Sequence, residues 1–199
     1  MKWYWWVIIG MLVAVLLITF TYRKRQADVL TKIDEAVKEN KTLFTEADAK
    51  TALAKIVSVY GKPLAKQIEQ VARLETSHFK SQQYKLTGTG GMEAHGNAPY
   101  YGWYSAFFIA NPQYTPVGTT DMLEGKGASE IGGNAQSTKP KVFVIMPSVE
   151  AWMMFLADYA KRYATEGGIA RWYSTDKAKQ TIYLASLNQI IPRIVNQFA

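Results

Sequence analysis

The chain has 199 residues and a formal net charge of +7, and its length accommodates one membrane segment and one domain of about 150 residues. It has no cysteine and only two histidines, His78 and His95, which excludes disulfides, a cysteine nucleophile and a histidine-rich metal site. The positive charge favours anionic surfaces such as bacterial envelopes, lipid headgroups or nucleic acid, and we expect chemistry on carboxylates, hydroxyls or tyrosines without a metal or cofactor.

The first predicted element is a membrane anchor formed by residues 1–25. Residues 3–22 contain no charge, and about 20 helical residues match a hydrocarbon core about 30 Å thick. Aromatic rings crowd both ends of this segment, as they do at the two headgroup levels of a bilayer. Three basic residues, 23–25, follow it in place of the small-residue cleavage site of a signal peptide. A lipid bilayer is therefore a predicted partner.

A charged, helix-prone segment follows the anchor, and we interpret residues 26–44 as a helical stalk because apolar residues recur there every four positions. A capping motif at residues 45–48 then predicts the start of a helix, which Gly61 and Pro63 end. Pro63 is expected to open the next helix, over residues 63–76.

The second half of the chain predicts an irregular segment followed by two helices. Residues 81–139 are rich in glycine, threonine, asparagine and aromatics, which favours loops and a small sheet over helix. Residues 142–145 predict a strand, and Ser148 predicts the N-cap of a helix that ends near residue 163.

The last helix is expected to begin at Ser174. Its predicted apolar side comprises Ile182, Ala185, Leu187, Ile190 and Ile191, with a kink at Pro192. Helices on both sides of an irregular, partly β middle indicate an α+β domain over residues 45–199. The domain is expected to be mainly helical, with a small β or loop lobe.

Glu75 is the most informative residue of the predicted catalytic helix. The apolar residues Leu64, Ile68 and Val71 follow one another at steps of four and three, and the next step of four leads to Glu75. Burial and the negative end of the helix dipole should both raise the pKa of this carboxyl. A carboxyl that stays protonated near neutral pH suits general acid catalysis of glycosidic bond cleavage. The alternative is a surface carboxylate paired with Arg73 or His78.

Four short motifs follow one another along the domain: ETSHFKS at residues 75–81, TGTGGM at 87–92, MPSVE at 146–150 and YSTD at 173–176. Together they resemble lysozyme-like enzymes, most of all the autolysin and flagellar type of endo-β-N-acetylglucosaminidases. Their order and spacing are more specific than any one motif, and the similarity spans roughly residues 50–199. The Asn-Leu-Phe-Gly-Ile sequence that these enzymes have after the catalytic helix is missing.

The resemblance implies a lysozyme-like fold, Glu75 as the catalytic acid and Tyr173 as a cleft residue near the reacting sugar. A second catalytic carboxylate would come from the irregular middle segment, where the candidates are Asp121, Glu124 and Glu130. Residues proposed to contact the glycan are Tyr101, Trp103, Tyr104, His78 and Met92. The aromatic members are suited to stacking on sugar faces, and packing in the core is the alternative for them.

The sequence therefore predicts a membrane-anchored glycosidase that degrades the peptidoglycan backbone. A lytic transglycosylase of the same fold and a non-catalytic membrane-bound glycan-binding or scaffold protein remain as alternatives, and nucleic acid is not expected as a partner because the basic residues are scattered between acids. Residues 23–25 favour a cytoplasmic domain by the positive-inside rule, which conflicts with a wall substrate in a cell. An anchor in the internal membrane of a lipid-containing phage would avoid that conflict, so we expect either this location or the bacterial envelope. The oligomeric state stays open.

Overall fold

The computed structural model describes residues 42–92, 105–119 and 143–198, together with Phe20, Lys24, Thr31 and Glu35. Its helices are α1 (Glu46–Tyr60), α2 (Lys62–Glu75), α3 (Gln82–Thr87), α4 (Ser105–Ala110), α5 (Val149–Arg162), α6 (Ala170–Tyr173) and α7 (Lys177–Asn188). Its strands are β1 (Gly118–Thr119) and β2 (Val144–Ile145), and short 3-10 turns occupy Pro112–Tyr114, Ala164–Glu166 and Val195–Gln197. The described part of the chain is thus mainly helical, as expected.

The predicted boundaries of the first two domain helices are confirmed. Asp48 accepts hydrogen bonds from both the backbone N–H (2.7 Å) and the hydroxyl (2.8 Å) of Thr45, which fixes the start of α1. At the other end Gly61 has φ of 88°, a value that favours glycine, and it turns the chain into α2. Pro63 lies in the first turn of α2, where its missing N–H costs nothing.

Helix α5 forms the centre of the core. Ser148 caps it as predicted, since its hydroxyl oxygen accepts a hydrogen bond from the N–H of Ala151 at 3.1 Å. Side chains are buried on nearly every side of the helix, which is typical of a central helix. Among them, Trp152 and Phe155 are two of the largest fully buried side chains. Helix α1 packs against both α5 and α2, so the helix that carries Glu75 is held against this core.

The small sheet joins the middle of the described chain to α5. Strands β1 and β2 pair antiparallel, with Gly118 opposite Ile145. The N–H of Val144 donates to the carbonyl of Met92 at 2.8 Å, which holds the end of the glycine-rich segment 87–92 beside β2. The strand predicted at 142–145 is confirmed for its last two residues.

Two short helices correct the expectation of loops after residue 81. Helix α3 begins at a cap, because the hydroxyl oxygen of Ser81 accepts a hydrogen bond from the N–H of Tyr84 at 3.2 Å. It ends at Gly88, whose φ of 71° is left-handed. Helix α4 has six residues. Neither helix is long enough to show a helical period in the sequence, so the local composition suggested loops instead.

The last helix starts and ends differently from the prediction. The sequence predicts a start at Ser174, whereas α7 begins at Lys177 because the carboxylate of Asp176 accepts hydrogen bonds from two N–H groups of the first turn (2.8 and 3.2 Å). The helix ends at Asn188, four residues before Pro192, so the predicted proline kink does not occur.

The buried face of α7 is also different. Its buried residues are Gln180, Tyr183 and Leu187, whereas Ile182 is 66% exposed and Ile191 is 62% exposed. The predicted apolar side is therefore wrong except for Leu187. Several faces of this helix have apolar residues at helical spacing, and the contacts with α2 determine which face is buried.

Most of the predicted anchor and stalk lies outside the described residues. Within the described ranges, no helix is long and apolar enough to cross a bilayer. Leu43 and Phe44, at the end of the predicted stalk, are not helical, and their N–H groups donate to the carbonyl of Lys85 at 3.0 and 3.1 Å. The stalk prediction is wrong for these residues, which pack on α3.

Candidate active site

Glu75 is the last residue of α2, and the sequence on both sides determines its place. Val71 and Ile68 are fully buried one and two turns before it, respectively, and fix the rotation of the helix. The next residue, Thr76, ends the helix: its N–H and its hydroxyl both donate to the carbonyl of Ala72, at 3.1 and 2.5 Å. Glu75 is consequently partly buried at the negative end of the helix, as the sequence predicted.

A left-handed turn follows immediately. Ser77, His78 and Phe79 have φ of 49°, 59° and 67°, a conformation that costs about 1–2 kcal/mol for each non-glycine residue. The hydroxyl oxygen of Thr76 accepts a hydrogen bond from the N–H of Phe79 at 2.8 Å, and the Phe79 ring is buried in the core. These contacts offset the strain and hold the turn directly after Glu75.

Gly90 packs against the base of the Glu75 side chain. A methyl group at Gly90 would lie 2.6 Å from Cβ of Glu75 and 3.0 Å from both Thr76 Cγ2 and Trp152 Cη2. No side chain fits at this position without a shift of Glu75 or of the core tryptophan. The glycine-rich segment 87–92 therefore has a steric role: it lets the backbone cover one side of the candidate acid.

Tyr183 of α7 covers another side and contacts the carboxyl directly. Its hydroxyl donates a hydrogen bond to Oε1 of Glu75 at 2.8 Å, across 108 positions of sequence. The ring is only 4% exposed. Burial, and then the neighbouring Glu75 carboxylate, raise the pKa of the Tyr183 phenol far above its usual value, so it acts as a donor over the whole working range of pH.

Two opposed effects of this environment act on the pKa of Glu75, and their net result is a raised pKa. Desolvation raises it and is the larger effect, and the hydrogen bond from Tyr183 lowers it in part. The protonated state is therefore favoured at a higher pH than for a carboxyl in water. This is the property that a general acid requires.

Tyr173 joins the site through Tyr183. The two rings stack with centroids 4.7 Å apart and planes within 3° of parallel. Tyr173 is 57% exposed, so one face supports Tyr183 and much of the ring stays open to solvent. The exposed ring of Tyr173, which stacks on the tyrosine that is bonded to Glu75, is suited to pack on a sugar face.

The other predicted site residues lie apart or outside the described ranges. His78 is exposed, and its ring forms no hydrogen bond among the described residues. Met92 is fully buried in the core, so its side chain offers no surface to a glycan in this conformation. Six predicted residues lie outside the described ranges: Tyr101, Trp103, Tyr104, Asp121, Glu124 and Glu130.

A second carboxylate of α2, Glu69, has a structural role that the sequence reasoning missed. It has no exposed surface, and its oxygens accept hydrogen bonds from the N–H groups of Ile194 (2.8 Å) and Val195 (2.7 Å). Arg73 pairs with it at 2.7 Å and reaches Glu46 at 2.8 Å. The spacing of four between Glu69 and Arg73 was the available signal. Glu69 fastens the C-terminal segment to α2 and is not available as an acid.

The described residues contain no group of three or more His, Cys, Asp or Glu side chains that could hold a metal ion. The chain matches no protein-family model, no curated protein and no solved structure. Chemical interpretation of the site therefore depends on the geometry around Glu75 and on the motifs that surround it in the sequence.

Proposed function

We propose that the chain is a membrane-anchored glycosidase that cleaves the glycan backbone of bacterial peptidoglycan, with Glu75 as general acid in a lysozyme-like domain. The observation that supports this best is the half-buried Glu75 carboxyl, whose raised pKa comes from desolvation and whose Oε1 is held by Tyr183. Its place at the C-terminal end of a helix, followed by a turn and a glycine-rich segment, agrees with the motifs that suggested this class.

The proposed chemistry begins with proton transfer from Glu75. Because Oε1 accepts the Tyr183 hydrogen bond, the acidic proton resides on Oε2 and faces away from the tyrosine. That proton passes to the glycosidic oxygen as the bond from the anomeric carbon to this oxygen breaks. Water then adds to the anomeric carbon, and a second carboxylate accepts the proton that this water loses. The candidates for the second carboxylate are Asp121, Glu124 and Glu130.

Tyr173 is proposed to hold the sugar next to the acid. Its exposed ring is fixed by stacking on Tyr183, so it loses little freedom when a ligand packs on it. Tyr101, Trp103 and Tyr104 are proposed to extend this aromatic surface. The net charge of the chain, +7, favours contact with anionic wall polymers, and residues 3–22 attach the domain to a bilayer of the bacterial envelope or of a phage virion.

The test is wall digestion by the full chain and by Glu75→Gln. We expect the parent to clear purified sacculi in a zymogram and Glu75→Gln to be at least a hundredfold slower, the loss typical of removing a general acid. Glu150→Gln is a matched control, because Glu150 also accepts a hydrogen bond from a tyrosine, Tyr114, away from the site. This control should clear sacculi at the parental rate.

Product analysis separates the reaction types. New reducing ends on the released fragments indicate hydrolysis, whereas anhydro sugars indicate intramolecular attack by a lytic transglycosylase. Absence of clearing by the well-folded parent would overturn the glycosidase proposal and favour a glycan-binding or scaffold protein.

A further inference from the structure

A cavity of about 680 Å³ lies between the C-terminal ends of α2 and α7. Leu74, Ser77 and His78 line one side of it, and the other side is lined by Ser186, Gln189, Ile190, Ile191 and Arg193. No carboxylate is among the described residues that line it. The charged side chains that line the cavity are therefore cationic, and neither Glu75 nor the stacked tyrosines are among the lining residues.

Four polar side chains that line this cavity have no partner within the described structure. Ser77, His78, Gln189 and Arg193 form no side-chain hydrogen bond or ion pair there. Arg73 also borders the cavity, but Glu69 and Glu46 compensate its charge. The guanidinium of Arg193 thus provides the uncompensated charge, and its planar fork of N–H donors matches a carboxylate.

Two of these side chains, Ser77 and His78, belong to residues with a strained backbone conformation. Ser77 and His78 are left-handed residues, and the bonds of Thr76 keep them so. Strained conformations of this kind persist where the surrounding structure determines them, and they are common at ligand sites. Neither side chain forms a hydrogen bond with Glu75.

The rim of the cavity adds an apolar component. Leu74 is 38% exposed and Ile191 is 62% exposed, although both are large aliphatic side chains. A ligand that satisfied both parts would combine a negative group with small apolar groups. A short peptide with alanine-like side chains and a free carboxylate has this composition.

The cavity is close to Glu75 but on another side of α2. Leu74 precedes Glu75 directly, and at about 100° per residue the two side chains point in different directions from the helix axis. On α7, Ser186 lies about one turn, or roughly 5 Å, beyond Tyr183. The cavity and Glu75 are therefore on adjacent sides of the same helix end, where Leu74 of the cavity lining directly precedes Glu75 in the sequence.

We propose that this cavity binds a short peptide that ends in a free carboxylate, with Arg193 as the residue that binds the carboxylate. The inference rests on the proposed function, because the glycan of peptidoglycan bears short peptides with methyl side chains and free carboxylates. It assigns to the domain a second contact with its substrate, through the peptide instead of the sugar.

Binding of a synthetic peptide to the full chain in detergent tests the proposal by calorimetry. The probe is diacetyl-L-lysyl-D-alanine, and its C-terminal amide is the matched ligand without the negative charge. We expect Arg193→Gln to weaken binding of the acid about tenfold or more, the effect of losing one charge-assisted hydrogen-bonded pair. Lys179→Gln removes an exposed cation of α7 that does not line the cavity and should leave binding unchanged.

Three results would overturn the proposal: equal binding of the acid and the amide, unchanged binding by a folded Arg193→Gln protein, or displacement of the peptide by inorganic phosphate at equal concentration. Arg193→Lys retains the charge without the fork and should bind with intermediate affinity. The same peptide titrations with the Glu75→Gln variant measure binding in a protein that lacks the proposed cleavage activity. Peptide binding without wall clearing by the parent would overturn the glycosidase proposal alone, and clearing without peptide binding would overturn this inference alone.

Discussion

Glu75 differs from an ordinary surface carboxylate because three neighbours restrict it. Gly90 closes the space beside its Cβ, Thr76 ends the helix behind it, and Tyr183 donates to one of its oxygens. Burial then favours the neutral acid, while the tyrosine limits how far the pKa rises. These contacts restrict the orientation of the carboxyl and favour its protonated form, as the proposed role of a general acid requires.

The stability of Glu75→Gln relative to the parent should depend on pH. Below the ordinary pKa of a glutamate, Glu75 is protonated in both the folded and the unfolded chain, so it adds no pH dependence. As the pH rises from that value to the raised folded pKa, ionisation is easier in the unfolded chain, and the parent loses stability. Urea unfolding at a series of pH values should show the advantage of Glu75→Gln growing with pH over this window. Parallel curves for the two proteins would contradict a raised pKa.

Tyr183→Phe tests the hydrogen bond separately from the carboxyl. Without the phenol, Glu75 loses the interaction that lowers its pKa, so the alkaline limb of the pH profile of wall clearing should move to higher pH. Tyr114→Phe is the control, since it removes a tyrosine that donates to Glu150 outside the site. A uniform loss of rate at every pH, with no movement of the limb, would indicate a structural role for Tyr183 only.

At the scale of the elements, α2 connects the candidate acid with the C-terminal segment. Glu69 lies near the middle of this helix and binds the backbone of Ile194 and Val195, while Gln70 donates to the carbonyl of Ile190 at 3.0 Å. The segment that follows α7 is thereby fastened to the same helix that presents Glu75. Since α7 provides Tyr183, these bonds help to keep the two halves of the site together.

Glu69→Gln should destabilise the protein by about 3–5 kcal/mol, because it leaves the buried Arg73 guanidinium with an incomplete set of charged partners. Glu46→Gln removes the other partner of Arg73, but the Glu46 side chain is 54% exposed, so the loss should be below about 1 kcal/mol. Chemical denaturation of both variants measures the difference. Equal effects would show that burial of Glu69 does not determine its contribution.

Local signals in the sequence predicted the boundaries of α1 and α2 and the start of α5, whereas the buried face of α7 and the partner of Glu75 depend on contacts between distant elements. Caps at Thr45 and Ser148 involve atoms within three residues, so composition alone indicated them. The buried face of α7 depends on its packing against α2, and no helical period distinguishes Tyr183 from Ile182. For the same reason Glu75 was predicted from its own helix, whereas its partner across 108 positions was missed.

At the scale of the whole molecule, the distance between the predicted anchor and the domain limits which glycan bonds the proposed glycosidase would reach. The stalk prediction covers 19 residues, 26–44, which would span about 28 Å as a helix and roughly 60 Å if extended. The described domain begins with Leu43 and Phe44 packed on α3, so the last residues of that stretch belong to the domain. The proposed wall substrate would therefore lie within several tens of ångströms of the bilayer.

Deletion of residues 1–25 should release a protein that stays in solution without detergent and clears purified sacculi at the parental rate. The reason is that the deletion retains every residue of the candidate site and of the core around α5. Glu75, Tyr173 and Tyr183 all follow the deleted segment in the sequence. The full chain should float with liposomes in a density gradient, and the deleted form should not. Full-length chain with Leu12→Lys and Val13→Lys is the matched control, because two charges at the centre of residues 3–22 should prevent insertion without shortening the protein. If the deleted form still floated with liposomes, membrane binding would belong to the domain surface and the single-anchor prediction would be wrong.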